Sequence, residues 1–172
     1  HTVYLDNLIN SNTTGDSAAT GGGLLNRYIS RTVTLAEGQD AEDMQVILTA
    51  YRPPYTNVKV WLRVLHREDS DVFAQRGWIE LEKTGDGEIT YSSLTDRNDF
   101  REYKFTIPAS YMTGTDPQTG ALQYTNSAGA TFTGFKYFAV KIGIVVDADG
   151  TGSINTAVVP RVGDLRCIAL QI

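Results

Sequence analysis

Hydrolytic chemistry needs a nucleophile beside a base, or two carboxylates facing one cleft, and this chain holds few residues that could supply either. Its two histidines are His1, at the terminus, and His66, which closes an apolar run next to the acidic turn Glu68, Asp69, Asp71. No Gly-x-Ser-x-Gly elbow accompanies them, so His66 reads as a surface or hydrogen-bonded structural histidine. The carboxylates are numerous but scattered, and a glycosidase pair or a depolymerase would require two of them at a fixed separation over a concave surface. No catalytic residue, cofactor site or metal site is expected. Asp147-Ala148-Asp149-Gly150 opens like a calcium loop, but Thr151 to Asn155 supply neither a third ligand nor a distal glutamate, which favours a hairpin turn. Cys167, the sole cysteine, has no partner for an internal disulfide and falls in an apolar run, where it is expected as a small buried hydrophobe.

Aromatic residues carry more information. Several of Tyr51, Tyr55, Trp61, Trp78, Tyr91, Tyr111 and Tyr124 fall in turns or on the polar side of strand-like runs. Exposed tyrosines stack on sugars and anchor protein interfaces, which makes Tyr51, Tyr55, Tyr111 and Tyr124 candidate glycan or partner contacts. Trp61 and Trp78 read as core, or as the second face of a sheet.

The elements that would position these residues are strands. Period-two alternation recurs from Arg27 onward: Ile29, Arg31, Val33, Leu35; Met44, Val46, Leu48, Ala50; Val58, Val60, Leu62, Val64; Trp78, Ile79, Leu81; Tyr103, Phe105, Ile107; and Phe138, Val140, Ile142, Ile144, Val146. The final run, Leu165 to Ile172, is apolar on both sides and is expected as a central strand covered on both faces. Turn residues separate the runs at Glu37-Gly38, Pro53-Pro54, Gly85-Asp86-Gly87, Asp116-Pro117 and Asp147 to Gly152. Only Glu68 to Gln75 suggests a short helical turn, and no internal repeat is visible. Seven or eight strands at this spacing predict an all-β fold, a two-sheet antiparallel sandwich of jelly-roll type.

The chain has 172 residues, close to one domain, and a chain of that size buries about 70% of its unfolded surface. Residues 27–172 are expected to form the sandwich. Residues 1–26, rich in Ser, Thr, Asn and Gly, read as a flexible or docking N-terminal arm, with Val3, Leu5, Leu8 and Ile9 available to clasp a neighbour. A first residue of His in place of Met suggests a processed chain or a piece of a longer one. Fifteen Lys and Arg against 20 Asp and Glu give a net charge of -5 with no basic stripe, so nucleic acid is not an expected partner. Phe138 to Val146, interrupted by Lys141, falls short of the roughly 20 residues of a bilayer-spanning helix, so no membrane is expected either.

Three sets of segments carry a family resemblance. They are RYISRTVTLAEGQDAEDMQVILTAYRPP (Arg27 to Pro54), VKVWLRVLHREDSDVFAQRGWIELE (Val58 to Glu82), and NDFREYKF, FKYFAVKI and PRVGDLRCIAL taken together (Asn98 to Phe105, Phe135 to Ile142, Pro160 to Leu170). In this order they resemble the C-terminal β-sandwich module of baseplate or tail-fibre structural proteins of T4-like and marine tailed phages. The resemblance covers nearly all of the chain after Asn26, although those proteins are far longer. It implies a place in the virion, in a baseplate, tail fibre or related appendage, with other virion proteins as partners and a homo-oligomer such as a trimer or ring. It brings no catalytic residues. Recognition of a host-surface glycan is the alternative role. Within the shared segments, Asp99 and Arg101 are expected to form a polar network with Asp164 and Arg166 that fixes the register of two buried strands.

Overall fold

A computed structural model of the chain describes residues 9–85, 90–114, 120–146 and 159–172. The strands are β1 (Arg27–Ile29), β2 (Val33–Thr34), β3 (Asp43–Tyr51), β4 (Thr56–Leu65), β5 (Ile79–Glu80), β6 (Glu82–Thr84), β7 (Arg101–Thr106), β8 (Gln123–Thr125), β9 (Thr131–Thr133), β10 (Tyr137–Val146) and β11 (Arg161–Leu170). One sheet runs β1-β10-β4-β5, with β2 also on β10; the other runs β11-β3-β7-β6; β8 and β9 form a separate hairpin. Every pairing between these strands is antiparallel. The helical turn expected between Glu68 and Gln75 is a 3-10 turn at Phe73–Gln75, and a second covers Ala109–Tyr111.

Alternation places the core. Met44, Val46, Leu48 and Ala50 of β3 and Tyr103 and Phe105 of β7 meet Val58, Val60, Leu62 and Val64 of β4 and Phe138, Val140 and Ile142 of β10 in one buried cluster between the sheets. The opposite face of β4 and β10 is covered as well. Leu24, Trp61, Trp78, Ala139 and Val145 form a second cluster there, with Phe73 packed on it. Residues 9–26 supply the cover: Val146 N–H donates to the Asn10 carbonyl and Ile144 N–H to the Asn26 carbonyl, while Leu24 packs over Gly143. A Cβ at Gly143 would sit 2.2 Å from Leu24 Cδ2 and 2.8 Å from Trp61 Cζ3, so only glycine lets this strap lie flat on β10.

Three features depart from the expectations drawn from local pattern. The run from Tyr28 to Leu35 is two short pieces on the edge of the first sheet, with Ile29 and Val33 exposed. The break falls at Ser30, whose N–H donates to the Val140 carbonyl while its hydroxyl accepts the Val140 N–H, so a side chain replaces one rung of the ladder. Among the described residues the last strand, β11, is an edge strand and not a central one, because β3 is its one partner there and most of its residues are exposed. Cys167 lies exposed on that edge rather than buried. The Asp99–Arg101 and Asp164–Arg166 pairs form two separate sets: Arg101 Nη2 lies 3.1 Å from Asp99, whereas Arg166 reaches Glu102 at 2.6 Å and Asp164 at 3.3 Å. Strand β3 lies between β7 and β11, so the Arg166–Glu102 pair crosses over it on an exposed face.

Candidate functional site

The four candidate tyrosines divide. Tyr51 is buried, its hydroxyl donating to the Ser93 carbonyl and its ring facing Phe100 and the Arg161 guanidinium; Tyr124 is buried too. Tyr55 is exposed on the connection into β4, in a turn closed by Thr56 N–H on the Pro53 carbonyl, and takes a φ of 68° that a tyrosine seldom adopts. Tyr111 is exposed where it ends its 3-10 turn, and it borders a groove of about 510 Å³ together with Tyr124, Trp78, Arg76, Gln123, Thr125 and Thr131. The structure thus brings Tyr111 and Tyr124 together and leaves Tyr51 and Tyr55 at the other end of β4. Asp147 and Asp149 lie outside the described residues.

A buried acidic post builds this groove. Asp69 accepts Tyr124 O–H at 2.8 Å, Asn126 Nδ2 at 2.9 Å and the backbone N–H of Asp71 at 3.0 Å. Burial pushes the Asp69 carboxyl up, but those donors together outweigh it and hold the group below the usual aspartate range. Tyr124 also accepts the His66 N–H, which assigns His66 a structural place, stacked on Phe132 and accepting Glu68 N–H at Nδ1. Burial, followed by the adjacent Asp69 carboxylate, raises the Tyr124 phenol well above its ordinary value, so the hydroxyl stays a donor. Asp71 accepts the Ser127 hydroxyl and N–H and pairs with Arg76 at 3.3 Å; these bonds, led by the Ser127 hydroxyl, lower its carboxyl. The Arg76 guanidinium carbon lies over the Tyr124 ring, 4.1 Å from its centroid, and Arg76 Nε is buried without an acceptor. The groove wall is completed by the outward side chains of the β8–β9 hairpin, where Thr125 and Thr131 are paired. Gln123, Thr125, Thr131 and Arg76 carry no motif: hydroxyls and amides on a strand look in sequence like any solvated face.

A second groove, about 580 Å³, runs between the sheets beside β5 and β6, lined by Lys59, Glu80, Glu82, Lys83 and Arg52 among others. Glu80 is ion-paired with Lys59 at 3.2 Å. The described residues lining the Tyr111 groove include no carboxylate. Among the described residues, no group of three or more His, Cys, Asp or Glu converges as a metal site, and no helix is long and apolar enough to cross a membrane.

The flank between β1 and β11 is different in kind. Here both sheets end on edge strands, and a largely apolar groove of about 370 Å³ opens between them, lined by Asn26, Tyr28, Ile142, Ile144, Val162, Gly163, Asp164 and Leu165. Tyr28 and Ile29 are 58% and 54% exposed, and Leu25 and Ile168 are exposed as well. No family model, curated protein or solved structure matches the chain.

Proposed function

We propose that this chain is a non-catalytic β-sandwich module of a tailed-phage virion, a tile or connector of a baseplate, tail fibre or related appendage, and that it joins neighbouring proteins through the β1/β11 flank. The observation that carries the assembly role is the flank itself: two sheet edges that have no strand partner among the described residues border a largely apolar groove, with Tyr28 of its lining more than half exposed. Isolated proteins blunt such edges, whereas assembling ones use them. The placement in a virion is supported by the segments from Arg27 to Leu170 that resemble phage baseplate and tail-fibre modules. Immunogold labelling of intact particles with antibody against the chain tests it: labelling confined to a tail appendage is expected, and particles without the chain would refute the role.

The Tyr111 groove favours a second reading, recognition of a host-surface glycan. One exposed aromatic face, the hydroxyls of Thr125 and Thr131 and the Gln123 amide are groups that grip a sugar ring. A glycan array read with the native chain and with Tyr111→Ala checks this. Spots lost in the variant support it, and an array without spots removes it.

A further inference from the structure

We infer that β11 pairs antiparallel with β11 of a second copy about a two-fold axis at Leu165, joining two four-stranded sheets into one of eight strands. The inference rests on the flank assigned above to assembly and names its partner. Strand β11 is ten residues long and, among the described residues, has one open edge. From Asp164 to Leu170 it keeps regular register with β3, and an axis at Leu165 sets the bulge at Gly163 opposite Cys167 of the second copy.

Charge selects the register. Directly opposed residues of an antiparallel pair share a face, and a two-fold axis makes every such pair occur twice. An axis at Leu165 sets Asp164 opposite Arg166 of the second copy and Arg166 opposite its Asp164. An axis at Asp164 would oppose two aspartates, and one at Arg166 two arginines. An axis at Cys167 would leave Asp164 against Leu170 and Arg166 against Ile168. Only the Leu165 register places opposite charges together, and Glu102, already bonded to Arg166, extends the alternation of charge onto β7.

The apolar side agrees. Leu165 and Val162 pack partly into the core, while Asp164, at the rim of the groove, and Arg166 have exposed side chains, so the two Leu165 side chains meet at the mouths of the two flank grooves. Pairing there brings the two grooves, each lined by Tyr28, side by side. A paired edge is also protected against indiscriminate strand addition.

Sedimentation velocity of the full chain tests the pairing. The native 18.9 kDa chain is expected to sediment as a dimer. Asp164→Arg sets Arg against Arg and Arg166→Asp sets Asp against Asp; each turns two attractive pairs into two repulsive ones and should weaken association on the order of tenfold or more. Mixing these two variants should restore a dimer, as should the double variant D164R/R166D. Circular dichroism confirms that each variant is folded. In a Cys167→Ala background, Leu165→Cys should cross-link on oxidation, and Ile168→Cys should not. A monomeric native chain, a dimer that survives both single substitutions, or a failure of the mixture to associate overturns the pairing. A monomer that still labels virions overturns the pairing alone, and a dimer absent from particles overturns the virion role alone.

Discussion

Replacing Asp16 with alanine should remove the strongest tie between residues 9–26 and the body of the fold. Asp16 is completely buried; one carboxylate oxygen accepts Leu24 N–H at 3.1 Å, and the other lies 3.3 Å from Arg27 Nη1 and 3.6 Å from Lys141 Nζ. Lys141, 1% exposed, has its ammonium 4.9 Å from the Trp61 ring and 5.0 Å from that of Trp78, and it also donates to the Asp16 carbonyl. Burial lowers the Lys141 pKa, and Asp16 opposes that shift. Without the carboxylate, the ammonium keeps one carbonyl and two ring faces in a site closed to water, and Leu24 N–H loses its acceptor. Breaking a buried pair by removing one partner costs about 3–5 kcal/mol. At roughly 2–4 °C per kcal/mol for a chain of this length, the melting temperature should fall by about 6–20 °C. Urea unfolding of the native chain, Asp16→Ala, Lys141→Met and the double variant gives the coupling. The double variant should recover most of the loss, since a methionine leaves no buried charge and packs between the two indoles. A loss below about 1 kcal/mol for Asp16→Ala, or additive losses in the double variant, would refute the view that this pair anchors the strap.

Gly143→Ala drives a methyl group into Leu24 and Trp61 and should destabilise by about 1–3 kcal/mol, with faster limited proteolysis in residues 9–26. Asp69→Asn leaves one oxygen to serve Tyr124, Asn126 and the Asp71 N–H and should cost about 1–3 kcal/mol in urea unfolding. Because folding lowers the Asp69 carboxyl below its unfolded value, its contribution is complete above about pH 4 and is lost as pH falls through the folded value. The variant should therefore show a shallower decline of melting temperature in acid than the native chain. Tyr55→Asn relieves a left-handed backbone conformation that asparagine tolerates, and should raise stability by about 0.5–1 kcal/mol by the same urea assay. A destabilised variant would mean that the exposed ring packs to advantage in the free chain.

Sequence alone determined which faces meet. A period of two leaves no freedom once one face is apolar, so Met44 to Ala50, Val58 to Val64 and Phe138 to Ile142 point inward as the alternation says. It also marked Lys141 as foreign to its strand. Its partner, Asp16, lies 125 residues away in a segment whose composition resembles a linker, and no local pattern joins the two. Edge or centre is likewise a property of pairing and not of the strand: the apolar run of β11 looks central, yet tertiary structure gives it one neighbour among the described residues and leaves Cys167 and Ile168 exposed. The tyrosines make the same point, for Tyr124 is withdrawn by Asp69 and Arg76 while Tyr111 is left at the groove. Backbone and side-chain periodicity act between neighbours in sequence and can be read there. The cost of burying a charge or opening an edge depends on what arrives from elsewhere in the chain, and only the folded structure decides it.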